Sequence, residues 1–313
     1  MSVRKIGISL NADMVNGDPH ALDTHLGYVA EAGSDCAELI MHSLDVVVNG
    51  RVHPERLDKV RAILRRHPLA YTLHLPYELN LMACGEADEH YRVFEAGLDL
   101  AAAIGCQVVV YHSSYARLSE DNLESVYFPK YGRQYREDLF ARLVEEEIVR
   151  LRALGQQAKQ AGIDIGIENN IWYDVKNEYT YGIDPRSVAE HIRKIGLDNV
   201  GMTLDVGHCY LTSIAYGYSF EEAVKAVVPY LKHLHVHDNF GKLIDKGSYM
   251  RNLPYGYGDL HLPVGWGSIP YPDVLRWLDG YTGIVNMEIE FRFYPHFAEA
   301  VSRMRERLAG GAP

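Results

Sequence analysis

The sequence predicts one α/β domain in which eight parallel strands alternate with helices and close into a (β/α)₈ barrel. Short runs rich in Val, Ile and Leu are separated by longer segments of helical periodicity. Continuous apolar runs are typical of strands buried on both faces, as in a parallel sheet. The chain of 313 residues contains no linker or low-complexity tract. We therefore assign residues 1–313 to a single barrel domain.

The predicted elements follow a regular order. The strands cover residues 5–10, 36–41, 70–76, 107–113, 164–170, 200–208, 233–238 and 284–290. Helices are predicted over 89–104 and 137–161, where apolar residues recur at helical spacing. Elsewhere a capping residue or a proline precedes an apolar-periodic run, which predicts further helices after Pro185, after Ser219, after Pro270 and near Pro295. Eight strands in such an alternation favour a closed barrel over an open sheet.

Three long loops are predicted at the carboxyl ends of strands 4, 5 and 7, over residues 114–135, 171–183 and 239–262. Long loops inside a compact domain are usually functional, and barrel enzymes place their sites at this face. The loops are rich in tyrosine, which suits a lid over a small polyhydroxylated or ring-containing ligand. The alternative is aromatic packing between loops. The candidate lid residues are Tyr115, Trp172, Tyr257 and Trp266.

Composition argues against several classes of protein. The formal net charge is −11 and no block of basic residues is present, so the sequence does not indicate nucleic-acid binding. No apolar stretch is long enough to cross a membrane, and residues 1–10 lack the apolar core of a signal peptide. The four cysteines form no C-x-x-C pair, which favours reduced thiols over a thiolate zinc site. We expect a cytoplasmic protein.

Residues of the types that bind metals lie at the carboxyl ends of six predicted strands or in the loop after strand 7. Any one of them has an ordinary structural explanation, but their joint occurrence around one barrel indicates a metal site. Mixed imidazole and carboxylate ligands without thiolate suit Mn²⁺, Co²⁺ or Zn²⁺ better than Ca²⁺. The candidates are His74, His112, Glu168, Asp205, His208, His235, Asp259, His261 and Glu288.

Strand 8 shows why a cation is expected. Its alternation places Asn286, Glu288 and Glu290 on one face and apolar residues on the other. A carboxylate that points into a barrel without a partner costs several kcal/mol, and a shared divalent cation compensates that cost. Either Glu288 or Glu290 could be the ligand, depending on the register of the strand.

Several motifs, taken in order along nearly the whole chain, resemble one family. They are HLPYELNL, YHSS, IENN, LDVGH, HVHDN, DLHLPVGWGSIPY and MEIE. Together they resemble the xylose-isomerase-like TIM barrel superfamily, which joins sugar isomerases and epimerases with DNA-repair enzymes of the endonuclease IV type. The ordered series is specific for the superfamily and much less so for the substrate.

The epimerase branch of this superfamily implies one metal ion held at the ends of strands 5 to 8. The matching ligands are Glu168, Asp205, His235 and Glu288, with His235 chosen because HVHD aligns with the family's H-x-x-D. The resemblance further implies that His208 contacts substrate oxygens. Glu168 and Glu288 would then transfer a proton through a metal-stabilised enediolate.

The endonuclease branch implies a cluster of three zinc ions. Its additional ligands correspond to His74, His112, His208, Asp259 and His261, and all five are present. Since isomerases of this superfamily retain part of the set, these residues do not decide the branch.

The sequence thus predicts a divalent-metal-dependent sugar isomerase or epimerase that uses one or more metal ions. The alternative is a phosphoesterase with two or three metals, and a metal-dependent binding protein is a third hypothesis. The expected partner is a small sugar or sugar derivative, and the barrel could form a homo-oligomer.

Overall fold

Eight parallel strands close into a barrel in the computed structural model, which describes residues 5–171, 178–243 and 253–310. This confirms the predicted fold class. All eight barrel strands lie within the predicted ranges or overlap them by most of their length. They are β1 (Lys5–Ser9), β2 (Cys36–Ile40), β3 (Ala70–His74), β4 (Val108–His112), β5 (Asp164–Glu168), β6 (Val200–Asp205), β7 (Leu231–Val236) and β8 (Ile284–Met287).

The barrel closes where its last strand pairs with its first. β8 pairs with β1 in parallel, from Lys5 opposite Ile284 to Ile8 opposite Met287. Each remaining strand pairs with its neighbours in the chain, so that strand order in the barrel follows strand order in the sequence. As a result the carboxyl ends of all eight strands form a single rim.

Helices occupy the six predicted places. They are α4 (Ala87–Ile104), α7 (Arg136–Gln160), α8 (Pro185–Ile195), α10 (Phe220–Val227), α11 (Tyr271–Trp277) and α12 (Phe297–Leu308). The other helices are α1 (Ala12–Val15), α2 (Pro19–Glu31), α3 (Pro54–Leu64), α5 (Glu120–Asn122), α6 (Phe128–Tyr131) and α9 (Val206–Tyr216). Asp184 begins α8 by accepting a hydrogen bond from the Arg186 amide, and Gly196 ends it in the left-handed conformation (φ 71°).

The sixth strand is shorter than the sequence predicts. Residues 200–208 were expected to be extended, but β6 ends at Asp205 and α9 begins at Val206. The cause is the Asp205 side chain, which accepts a hydrogen bond of 2.6 Å from the His208 amide and so caps the helix. Asp205 and His208 therefore lie on one helical turn at the barrel rim.

Smaller elements lie in the connections. Two short antiparallel ribbons pair Val47–Val48 with Arg51–Val52 and Tyr115–Arg117 with Glu178–Thr180. The turns Met41–Ser43, Val228–Tyr230, Leu253–Tyr255 and Phe291–His296 are 3₁₀ helical, and Leu123–Tyr127 is a π-helical turn. Within the described ranges, every helix is too short or too polar to cross a lipid bilayer.

The helices pack closely around one glycine and leave open space at another. A Cβ at Gly155 of α7 would lie 2.6 Å from Leu197 Cδ1 and 2.7 Å from Val200 Cγ2, whereas a Cβ at Gly27 of α2 would have nothing within 4 Å. Val200 is β-branched and fixed as the first residue of β6, so it cannot move aside easily. We expect Gly155→Ala to lower the free energy of unfolding by about 1–3 kcal/mol. Gly27→Ala should raise it by about 0.5–1 kcal/mol, and urea unfolding of both variants measures the difference.

Candidate metal centre

Four side chains from neighbouring strands meet at the rim of the barrel. Glu168 ends β5, Asp205 ends β6, His235 lies in β7 and Glu288 follows β8, and each offers an atom within 4.8 Å of the others. The strand register brings them together, because Asp205 pairs with His235 and His235 pairs with Asn286. The first three side chains are fully buried and that of Glu288 is 12% exposed. We call these four residues the core group.

A second cluster shares Glu168 with the core group. It consists of His74 at the end of β3, His112 at the end of β4, and Glu168. Nε2 of His74 lies 3.3 Å and Nε2 of His112 lies 3.4 Å from Glu168 Oε2, whereas Oε1 of the same carboxylate faces the core group. Glu168 is thus placed to bridge two cation positions.

A third cluster, which we call the outer group, consists of His208, His237, Asp259 and His261. Asp259 Oδ2 lies 2.7 Å from His261 Nε2 and 3.3 Å from His208 Nε2. The His237 and His261 rings stack in parallel, 4.1 Å apart and inclined by 2°. Because the nitrogen lone pairs of imidazole lie in the ring plane, one ion cannot be coplanar with both rings. The outer group therefore offers at most one of these two imidazoles in good geometry, beside His208 and Asp259.

The core group has the unsatisfied polar atoms expected of a metal site. Both carboxylate oxygens of Glu168, Oδ2 of Asp205 and both ring nitrogens of His235 are buried and lack a hydrogen bond within the described part of the chain. Leaving several buried polar atoms unpaired is costly. A divalent cation would satisfy the carboxylate oxygens and Nδ1 of His235 together, and two or three carboxylates with an imidazole suit Mn²⁺, Co²⁺ or Zn²⁺. The residues present fit such an ion.

Burial and neighbouring charges lower the pKa of one member of the core group and raise the pKa values of two others. Burial opposes ionisation of Glu168, but the His235 and His112 imidazoles outweigh it and hold the pKa of Glu168 well below its usual range. Burial raises the pKa of Glu288 to about 7, and the Glu168 and Asp205 carboxylates add to this, against the opposing effect of His235. Burial disfavours the charged form of His235, yet Glu288, Glu38 and Glu168 raise its pKa well above the usual value. The metal-free centre therefore retains protons at neutral pH.

Two residues that contact the candidate metal ligands were not predicted from the sequence. Glu38 of β2 is fully buried and lies 3.0 Å from both His233 Nε2 and His235 Nε2. Tyr77, directly after β3, stacks on His112 with ring centroids 5.6 Å apart and meets His74 edge-on at 5.0 Å. The available signals were an acidic residue inside the apolar strand CAELI and an aromatic residue three positions after His74.

The candidate lid residues have contacts away from the core group. Tyr115 lies in a surface ribbon with Arg117 5.2 Å from its ring, and the Tyr257 ring is 5.4 Å from Lys242 Nζ. Trp266 packs edge-on against Phe293 and His296. Of these contacts only those of Trp266 are aromatic packing, and the lid role of all four residues stays a prediction. Trp172 lies outside the described residues. Of the two strand-8 glutamates, Glu288 belongs to the core group, whereas the Glu290 amide donates to the His261 carbonyl.

Comparison with known proteins identifies the family. A family model described as "Xylose isomerase-like TIM barrel" matches residues 26–307. The chain belongs to this family. An uncharacterized protein of Methanocaldococcus jannaschii is 23% identical over 275 residues, which cover 86% of this chain and 80% of that protein.

Solved structures share the fold over nearly the whole chain. A D-tagatose 3-epimerase-like protein superposes with a TM-score of 0.70 and 22% identity, covering 98% of each chain. A 3-keto-D-glucoside 4-epimerase from E. coli gives a TM-score of 0.65 at 16% identity, covering 96% of this chain and 99% of that one. A xylose isomerase-like TIM barrel protein from Mycobacterium smegmatis, solved in complex with magnesium, gives 0.67 at 18%, covering 98% of this chain and 97% of that one. At these identities the likeness shows the fold.

The pKa shifts make metal affinity depend on pH. Glu288 and His235 hold protons at neutral pH in the metal-free protein, and a cation bound by the core group must displace them. The affinity for Mn²⁺ or Zn²⁺ should rise about tenfold per pH unit for each displaced proton as pH increases to about 7. Above that value the Glu288 contribution should vanish, because its carboxylate is already ionised. Titration calorimetry in two buffers of different ionisation enthalpy measures the protons released, and a pH-independent affinity would contradict this assignment.

Proposed function

We propose that the protein is a divalent-metal-dependent isomerase or epimerase that acts on a sugar or sugar derivative. The observation that carries the proposal is the pair of carboxylates Glu168 and Glu288. Each has an oxygen 3.3–3.4 Å from Nδ1 of His235, yet they arrive from β5 and β8 with two strands between them. Two carboxylates that flank one position can serve two faces of a small substrate.

Each residue of the core group would have a defined part in this reaction. Glu168, Asp205, His235 and Glu288 would hold the ion. A divalent cation there would polarise a carbonyl oxygen and its neighbouring hydroxyl, which acidifies the C–H bond between them. One glutamate would take the proton from that carbon, and the substrate would pass through an enediolate. The other glutamate, on the opposite side, would return a proton to carbon. His208, on the first turn of α9, would donate to a substrate oxygen.

The family and its solved structures support this reaction class. A D-tagatose 3-epimerase-like protein, an L-ribulose 3-epimerase and a D-psicose 3-epimerase share the fold of this chain over almost its full length. Tyr77, stacked on His112 and edge-on to His74, adds an aromatic wall beside the ligands. Such a wall can pack against the carbon face of a sugar and exclude water from the reacting carbon.

A second function, hydrolysis of a phosphate ester by several metal ions, is favoured by one specific observation. Beside the core group the structure places three further clusters of ligand-type residues. One of them shares Glu168 with the core group, and another, formed by Glu38, His233 and His235, shares His235. Adjacent cations would lower the pKa of a bound water, so that it attacks as hydroxide, and would neutralise the charge of a phosphate. The net charge of −11 disfavours a nucleic-acid substrate for that chemistry.

The proton-transfer proposal predicts exchange of a substrate hydrogen with solvent. We expect deuterium from D₂O to enter a ketose at the carbon beside its carbonyl when the manganese-loaded protein is present, as followed by NMR over a panel of sugars. Glu288→Gln and Glu168→Gln should each slow this exchange by about 10²–10⁴-fold, because each removes a base. Glu290→Gln, two residues beyond Glu288 and outside the core group, is the matched control and should retain the exchange rate. Exchange that survives both glutamine substitutions would refute the mechanism.

Metal content separates the two functions. The isomerase proposal requires the core group alone, so we expect about one tightly bound Mn or Co per chain by elemental analysis after gel filtration, and its loss in Asp205→Asn. A content of about three Zn per chain, together with nicking of an abasic-site duplex and no deuterium exchange, would favour hydrolysis instead.

A further inference from the structure

Glu38 is a hub of polar contacts in the barrel interior, directly beneath the core group. Its side chain is fully buried, and its contacts come from four strands other than its own β2. Five side-chain atoms lie 3.0 Å from its carboxylate oxygens: Ser9 Oγ, Asn286 Nδ2 and His235 Nε2 at Oε1, and Thr72 Oγ1 and His233 Nε2 at Oε2.

Glu38 also forms a fourth cluster of ligand-type atoms with His233 and His235, but its oxygens are already engaged by the donors around it. A carboxylate oxygen has two lone pairs. The Ser9 hydroxyl and the Asn286 amide donate to Oε1, and the Thr72 hydroxyl donates to Oε2 beside the His233 ring nitrogen. The ring nitrogens of His235 and His233 lie 3.0 Å from Oε1 and Oε2 as well, so both oxygens face neighbouring protein atoms. Glu38 would therefore influence an ion in the core group through a neighbouring residue.

His235 is that neighbour, because its two ring nitrogens face in different directions. Nε2 lies 3.0 Å from Glu38 Oε1. Nδ1 lies 3.4 Å from Glu168 Oε1 and 3.3 Å from Glu288 Oε1, inside the core group. Carboxylates lie beside both nitrogens, but the two at Nδ1 belong to the core group and would be engaged by the ion. The Glu38 carboxylate then favours the ring proton on Nε2 and leaves the lone pair of Nδ1 free for the metal.

We propose that Glu38 is a positioning residue for the metal centre: it holds the proton of His235 on Nε2 and aims Nδ1 at the ion. The proposal rests on the core group of the proposed function. The anchors of Glu38 make the arrangement rigid, since the Ser9 hydroxyl and the Asn286 amide fix Oε1 from β1 and β8 while Thr72 fixes Oε2 from β3. A turn of the His235 ring would carry Nε2 away from a carboxylate that is itself held in place.

The chain offers a matched control in Glu147 of α7. It too is fully buried, and it lies 3.3 Å from a histidine, His191, while accepting hydrogen bonds from the Tyr111 and Tyr181 hydroxyls. Its histidine belongs to none of the candidate metal clusters of the described residues. Glu147→Gln therefore reproduces the loss of a buried charge next to an imidazole, without altering a ligand.

The first measurement is the affinity of the full-length protein for Zn²⁺ and Co²⁺, titrated without substrate against a chromophoric chelator. Glu38→Gln should weaken binding by about 10–100-fold, because an amide no longer stabilises the Nε2–H form of His235. Glu147→Gln should change the affinity less than about twofold. Equal affinities of Glu38→Gln and the unmodified protein would overturn the proposal, as would an equal loss in both variants.

A second measurement needs no substitution and so does not depend on how a variant folds. In ¹⁵N-histidine NMR spectra of the zinc-loaded protein, His235 should show a protonated Nε2 and a metal-bound Nδ1. Zinc bound through Nε2 of His235, or not bound to His235, would overturn the proposal. Failure of the proposed function has a different signature: tight metal binding that depends on Glu38, with no deuterium exchange into any sugar.

Discussion

The pairing of β8 with β1 is the interaction on which the rest of the structure depends. It closes the sheet, and only in a closed sheet can Glu38 of β2 reach His233 and His235 of β7. The same closure carries Asn286 of β8 to Ser9 of β1 and to Glu38. The backbone hydrogen bonds between β8 and β1 thereby determine where the buried charged side chains of distant strands meet.

At the rim of the barrel, the negative charges of buried carboxylates are balanced in part by buried histidines. Carboxylates without partners would be driven to their neutral form by burial. Five of them here each have a histidine within about 3.5 Å, namely Glu38, Glu168, Asp205, Asp259 and Glu288. The balance is incomplete at Glu288, whose pKa rises to about 7. The negative charge of the carboxylates around Glu288 is therefore not fully compensated, and a bound cation would compensate it.

Sequence patterns predicted the elements whose cause is local. Short runs rich in Val, Ile and Leu marked the strands, and Asp184 with Pro185 marked the start of α8. The end of β6 was missed because a local hydrogen bond, from the His208 amide to the Asp205 side chain, outweighs the apolar run. Helix α2 also lies where the sequence analysis predicts none, although Asp18 and Pro19 carry the same starting signal as α8.

The site was predictable only in part. Ligand-type residues at strand ends, such as Glu168 and Asp205, could be named because parallel strands place their carboxyl ends on one rim. Glu38 could not, because its partner His233 is 195 residues away in sequence and its side-chain direction depends on the register of closure. The surroundings of Tyr115 and Trp266 depend on loop packing, which residue type does not determine.

Buried side chains fill the interior of the barrel beneath the candidate metal ligands. Thr72, His233 and Asn286 are completely buried around Glu38, so no passage leads through the middle of the barrel at their level. A molecule that reaches the ligands from the rim must therefore leave on that same side of the barrel.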